Sequence, residues 1–179
     1  HPDGSFSNDK ASSGATDSGT VDGMGYDIAV EHTGLYDGLK VFAGYGEHDT
    51  DIGAAKYRQT SSQEWVAGAT YAIGQVTVGY QYSFDDKNQS SVDSYTNDAY
   101  GITFNVNDDL TLSYGKMESK QDVPSGTDNT FESTSVQIAY SVGGASIRFA
   151  DGSVDNSNYN SAKSSDDKDG QVLSLSLAF

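Results

Sequence analysis

Apolar and polar residues alternate with a period of two along most of the chain. The clearest case lies at the C-terminus, where Leu173, Leu175, Leu177 and Phe179 alternate with Ser174, Ser176 and Ala178. A period of two marks a strand whose two faces meet different surroundings. Val76, Val78, Tyr80, Tyr82 and Phe84 repeat it against Thr77, Gly79, Gln81 and Ser83. Tyr100–Val106, Leu110–Tyr114 and Val136–Val142 do the same, and Ile147 and Phe149 flank Arg148. Trp65–Ile73, Tyr26–Val30 and Leu39–Tyr45 are weaker examples. The pattern predicts nine strands of roughly 8–11 residues. No stretch sustains an apolar stripe at helical spacing. Proline is absent from every predicted strand, in keeping with unbroken ladders.

The predicted connections alternate in length. Gly34–Gly38, Ile73–Gln75, Asn107–Asp109 and Gly143–Gly144 are tight, whereas Glu47–Gln63, Asp85–Asn97, Glu118–Phe131 and Asp151–Asp169 are long and polar. In an up-and-down sheet this puts all tight turns at one end and all long connections at the other. Transmembrane β-barrels have this two-ended asymmetry. The expected fold class is therefore all-β: an antiparallel up-and-down transmembrane β-barrel.

The polar face is built from Gly, Ser, Thr, Gln and Asn more than from Lys and Glu, which suits a narrow lumen wall better than an open solvated surface. By strand parity Asp27, Glu31, Lys40, Gln81, Gln137 and Arg148 are the pore-lining candidates. Arg148 lies between two outward apolar residues, and a charge on the lipid face would cost about 2–4 kcal/mol at the midplane. Trp65, Tyr71, Tyr80, Tyr82, Tyr100, Tyr114, Tyr140 and Phe179 are candidates for the aromatic girdles at the two membrane interfaces. Tyrosine is also simply a good strand former, so each is a candidate and no more.

Composition sharpens this picture. The chain has 179 residues, 35% hydrophobic, with no cysteine, 26 acidic and 10 basic residues and a formal charge of -16. A thin apolar fraction is expected where only one face of each strand is apolar. The acidic excess speaks against nucleic acid as a partner. The absence of cysteine removes disulfides and thiolate metal sites. His1, His32 and His48 are scattered, neither HExxH nor GxSxG occurs, and His48–Asp49 is the sole close pair at a strand end. No catalytic residue is assigned, and the chain is expected not to be an enzyme. Asp151, Asp155, Asp166 and Asp167 share one acidic connection that could offer oxygens to calcium, but their spacing fits no EF-hand.

Glu64–Ser83 (EWVAGATYAIGQVTVGYQYS), Gly143–Asp155 (GGASIRFADGSVD) and Leu173–Phe179 (LSLSLAF) resemble the C-terminal part of general Gram-negative outer-membrane porins of the alphaproteobacterial, purple-bacterial type. The resemblance implies a passive diffusion channel for small hydrophilic solutes and ions, located in the cell outer membrane. It also implies a homotrimer when full-length, and contact with outer-membrane lipid and lipopolysaccharide. A C-terminal strand ending on Phe179 would be read by the barrel-assembly machinery, and calcium would bind in the extracellular loops. Single-chain bacterial barrels have an even strand count, and this family's has about sixteen. About nine strands present then make the chain a partial barrel, with residues 1–24 as an extracellular loop segment and 25–179 as the C-terminal strands. Two other readings stay open. One is a small eight-stranded outer-membrane barrel acting as adhesin or anchor. The other is a secreted acidic β-sandwich module.

Overall fold

The computed structural model describes residues 25–51, 59–87, 92–124, 126–159 and 167–177. The expected loop segment 1–24 lies outside them, as do Asp166 and Phe179. Nine strands form one antiparallel sheet: β1 (Gly25–His32), β2 (Leu39–Asp51), β3 (Gln59–Ile73), β4 (Val76–Asp86), β5 (Ser94–Asn105), β6 (Leu110–Asp122), β7 (Asn129–Val142), β8 (Ala145–Asp155) and β9 (Lys168–Leu177). Strand order in the sheet is strand order in the chain.

The barrel expected from the sequence is corrected here. β1 and β9 are the two edges of an open sheet and do not pair with each other. The strand count supplies a reason. Nine alternating strands leave β1 and β9 running in the same direction, so joining them would need one parallel ladder in an otherwise antiparallel sheet. The described residues therefore enclose no lumen.

The strands also run further than the apolar alternation does. β3 begins at Gln59 and carries QTSSQ before its first ring, Trp65, and β6 continues through ESKQD to Asp122. Backbone hydrogen bonds close a ladder whatever the side chains are, so these polar stretches stay paired beyond the apolar zone.

The tight turns follow their residues. Gly143 and Gly144 both have positive φ (56° and 84°), the geometry of a two-residue hairpin turn between β7 and β8. Between β5 and β6, Asn107 Oδ1 accepts hydrogen bonds from the N–H groups of Asp109 (2.9 Å) and Leu110 (2.8 Å). The side chain thereby supplies the turn's acceptor.

Among the described residues no hydrophobic side chain is buried. Ile28, Val136 and Leu173 are 62%, 52% and 74% exposed. Nothing in the described chain covers this apolar surface, a patch far larger than a soluble monomer ordinarily shows.

Candidate functional site

The ladder register sorts the side chains onto two faces. One row runs Tyr71, Val78, Ile102, Tyr114, Val136 across β3 to β7. Another runs Tyr140, Ile147, Leu175. Trp65, Tyr71, Tyr80, Tyr82, Tyr100, Tyr114 and Tyr140 all fall on this apolar face by the same register. The opposite face carries small residues: Gly79, Gly101, Gly115, Ser135, Gly152 and Gly170 stand in one row.

The apolar zone crosses the strands obliquely. Directly opposite residues lie on a line perpendicular to antiparallel strands. The long-connection margin of the zone is Trp65 on β3 and Leu173 on β9. The row through Leu173 passes Phe149, Ile138, Leu112, Phe104 and Val76 and meets β3 at Ile73. Ile73 is eight residues from Trp65 on β3. That is a drift of roughly 26 Å along the strands over roughly 29 Å across them, a tilt of roughly 40°. The tight-turn margin agrees. The row from Leu39 on β2 reaches β7 at Val136, six residues short of Val142. Over five strand steps this again gives roughly 40°. Strands of membrane barrels tilt by about 35–45° to the membrane normal. A flat apolar slab met by strands at that angle produces this drift.

Aromatic rings gather at both margins. On the long-connection side, Tyr26 and Tyr45 have ring centroids 6.0 Å apart, and Trp65 lies 5.1 Å from Tyr82 and 6.3 Å from Phe84. On the tight-turn side, Tyr36 and Tyr71 are 6.0 Å apart. Three tyrosine hydroxyls then reach out of the apolar zone to carboxylates. Tyr26 and Tyr45 both donate to Glu47 Oε2, at 2.7 and 2.9 Å, and Tyr80 donates to Asp98. Charges begin on this same face just past the margin: Asp98, Lys116 and Asp151 follow Tyr100, Tyr114 and Phe149. Lys116 Nζ pairs with Glu132 at 2.9 Å. A ring body against hydrocarbon and a polar tip in the headgroup layer is the arrangement that suits Tyr and Trp at an interface.

Asp27, Glu31, Lys40, Gln81, Gln137 and Arg148 all lie on the opposite, small-residue face. Only Glu31 and Lys40 are brought together, at 2.7 Å. Gln137 donates weakly to Ser135 Oγ at 3.4 Å. Arg148 stands between Ala139 and Ser174 and makes no ion pair among the described residues. Six strand steps separate Lys40 from Arg148, roughly 29 Å across the sheet. These residues share one open face of the sheet.

Of the calcium candidates, Asp166 lies outside the described residues. Asp151 and Asp155 project from β8 four residues apart, roughly 13 Å. Asp167 Oδ1 accepts the N–H of Asn156 at 3.0 Å. No group of three or more acidic or histidine side chains among the described residues is placed to hold a metal ion. The side chains of His48 and Asp49 lie outside the described residues.

One cluster escapes the periodicity. Tyr159, in the turn after β8, packs its ring near Tyr95 and Phe131 on the small-residue face. Its residues come from three parts of the chain, and an isolated Tyr in a polar segment carries no pattern to flag it.

No family model matches the chain, and no curated protein matches it. Among solved structures it is similar to OmpT of Vibrio cholerae, described as an in-vitro folded outer membrane protein in its trimer form. The TM-score is 0.58 and the identity 19%, over 74% of this chain and 46% of that chain. At this identity the likeness is one of fold: a distant structural relationship to an outer-membrane β-protein. The chain spans less than half the length of that structure. Together with the open sheet, this replaces the expected porin channel and its ion transport with a coarser result: a β-sheet loosely resembling an outer-membrane protein fold, whose described residues enclose no channel.

Proposed function

We propose that the chain is an outer-membrane anchor of a Gram-negative bacterium that holds its acidic long connections at the cell surface, in the manner of an adhesin. The single observation that carries this reading is the apolar face. It is uncovered, rimmed by Tyr and Trp, and crosses the register at roughly 40°. Such a face has lipid as its natural solvent. On this reading the tyrosine-to-carboxylate bonds at one margin would lie where lipid gives way to headgroups and lipopolysaccharide.

Of the two readings without a channel, the anchor is favoured by the likeness to an outer-membrane protein. The sandwich needs a second layer, and the described residues form one sheet. On the anchor reading no catalytic chemistry is assigned. The C-terminal strand is the element the barrel-assembly machinery would meet, and a homotrimer is the assembly proposed for the full-length protein.

The sequence contains one tryptophan, Trp65, at the long-connection margin. Folded into phosphatidylcholine vesicles, the chain should float with them through a carbonate wash. Trp65 fluorescence should then be quenched most by a spin label near the headgroups and less by one at the acyl-chain end. A chain that stays soluble without detergent, with Trp65 open to aqueous iodide, would refute the anchor.

A further inference from the structure

The most buried side chain among the described residues is polar. Ser119 is 1% exposed in a sheet with no buried hydrophobic residue. It lies on the small-residue face of β6, directly opposite Asn97 of β5 and Phe131 of β7. What covers it is the turn that follows β8. In this turn Asn156 and Tyr159 have φ of 58° and 52°. Left-handed backbone is tolerated by Asn and uncommon for a bulky residue. It persists where the surroundings over-determine it.

The surroundings do so from several sides. Asn156 Nδ2 donates to the Thr130 carbonyl at 2.7 Å, and its backbone N–H donates to Asp167 Oδ1 at 3.0 Å. The Tyr159 N–H closes the turn on the Asn156 carbonyl at 3.0 Å. The Tyr159 ring sits 5.3 Å from Tyr95 and 6.0 Å from Phe131. Its hydroxyl lies 2.7 Å from Ser119 Oγ. Ser119 donates its one proton to Asn97 Oδ1 at 2.5 Å, so the tyrosine is the donor to Ser119. Asn97 in turn donates to Ser83 Oγ at 3.2 Å. A hydrogen-bonded chain thus runs from the turn across β6, β5 and β4.

We propose that residues 156–159 form a latch. The latch pins the chain leaving β8 onto the small-residue face at the long-connection end of the sheet. Its release uncovers Ser119 and Asn97. The ring contacts, the hydroxyl bond and the left-handed backbone of Tyr159 all depend on the same placement of that residue, so they are made and lost together. The latch goes beyond the anchor reading and stands whether or not the opposite face meets lipid.

The chain has no cysteine, so Ser119→Cys introduces a single thiol under the latch. In the full chain this thiol should react slowly with a water-soluble maleimide. Adding Tyr159→Ala should speed the reaction by about tenfold or more, equivalent to about 1.4 kcal/mol. Tyr159→Phe, which keeps the ring and loses the hydroxyl, should fall between. Ser133→Cys, on the same face and outside the turn, should react at one rate with or without Tyr159→Ala, which shows that the sheet remains folded. Equal labelling of Ser119→Cys with and without Tyr159→Ala would overturn the latch. A second measurement needs no substitution. Amide exchange at Asn156 and Tyr159 should be slowed relative to the exposed Asp108, and unprotected amides there would overturn it as well.

Discussion

Asp128, in the connection between β6 and β7, shows how much a single side chain is tuned here. Lys120 Nζ lies 2.8 Å from its Oδ2, and the Val123 N–H donates to Oδ1 at 3.4 Å. The lysine bond first, and the backbone bond second, hold this carboxyl below the usual aspartate range. A carboxyl whose pKa is lower in the folded chain favours folding above the ordinary aspartate value. That contribution is lost as pH falls through the lowered value. Both side chains are well exposed, so the gain is small and screened by salt. Lys120→Met should return the Asp128 titration, followed by carboxyl NMR shifts, toward the ordinary range. An unchanged titration would show that Lys120 is not the cause. Glycine matters at this scale for a different reason. Gly38 has φ of 76°, and a methyl group there would run into the Ala72 carbonyl. Gly68 is equally constrained, because the Phe42 ring lies over it and a methyl would sit 2.7 Å from the Tyr80 carbonyl. Phe42 is thus a large residue that the small-residue face accommodates by emptying the position beside it.

Within one strand, neighbouring residues differ more than residues several strands apart. Ile102 and Thr103 are adjacent in β5. Ile102 shares a row with Val78 and Tyr114, and Thr103 shares one with Thr77 and Ser113. If the apolar face meets lipid, Ile102→Arg should cost about 2–4 kcal/mol of stability in vesicles, and Thr103→Arg far less. Urea unfolding of the two variants in the same lipid checks this, and equal losses would mean that the two faces see the same solvent. The strand ends are where element-level reading from sequence fell short. Alternation of apolar residues marks where one face of a strand is apolar, so it ended β3 and β6 at the margin of that zone. The ladder itself continues through polar residues, since pairing needs only backbone groups. Turn chemistry, by contrast, was legible. Gly143–Gly144 and the Asn107–Asp109 segment carry the residues that their geometries require.

At the scale of the whole molecule, the oblique apolar zone is the property that ties the rows together. Amide I dichroism of the chain in oriented bilayers should report strands tilted by roughly 40° from the normal. Strands lying flat on the bilayer would contradict the tilt read from the register. The sequence by itself determined the all-β class, the nine strands, their two-faced character and the placement of seven aromatics from Trp65 to Tyr140 on one face. It could do so because a period of two is a local property, carried by each strand without reference to the others. It also named six polar residues that share the opposite face. What only the tertiary structure decided is which edges meet and what lies over the face. Closure depends on the direction and number of the strands available at each edge, and β1 and β9 run the same way without joining. The turn that buries Ser119 depends on a contact between residues 40 apart in the chain. Neither is written into a local pattern, because each depends on segments far apart in the chain.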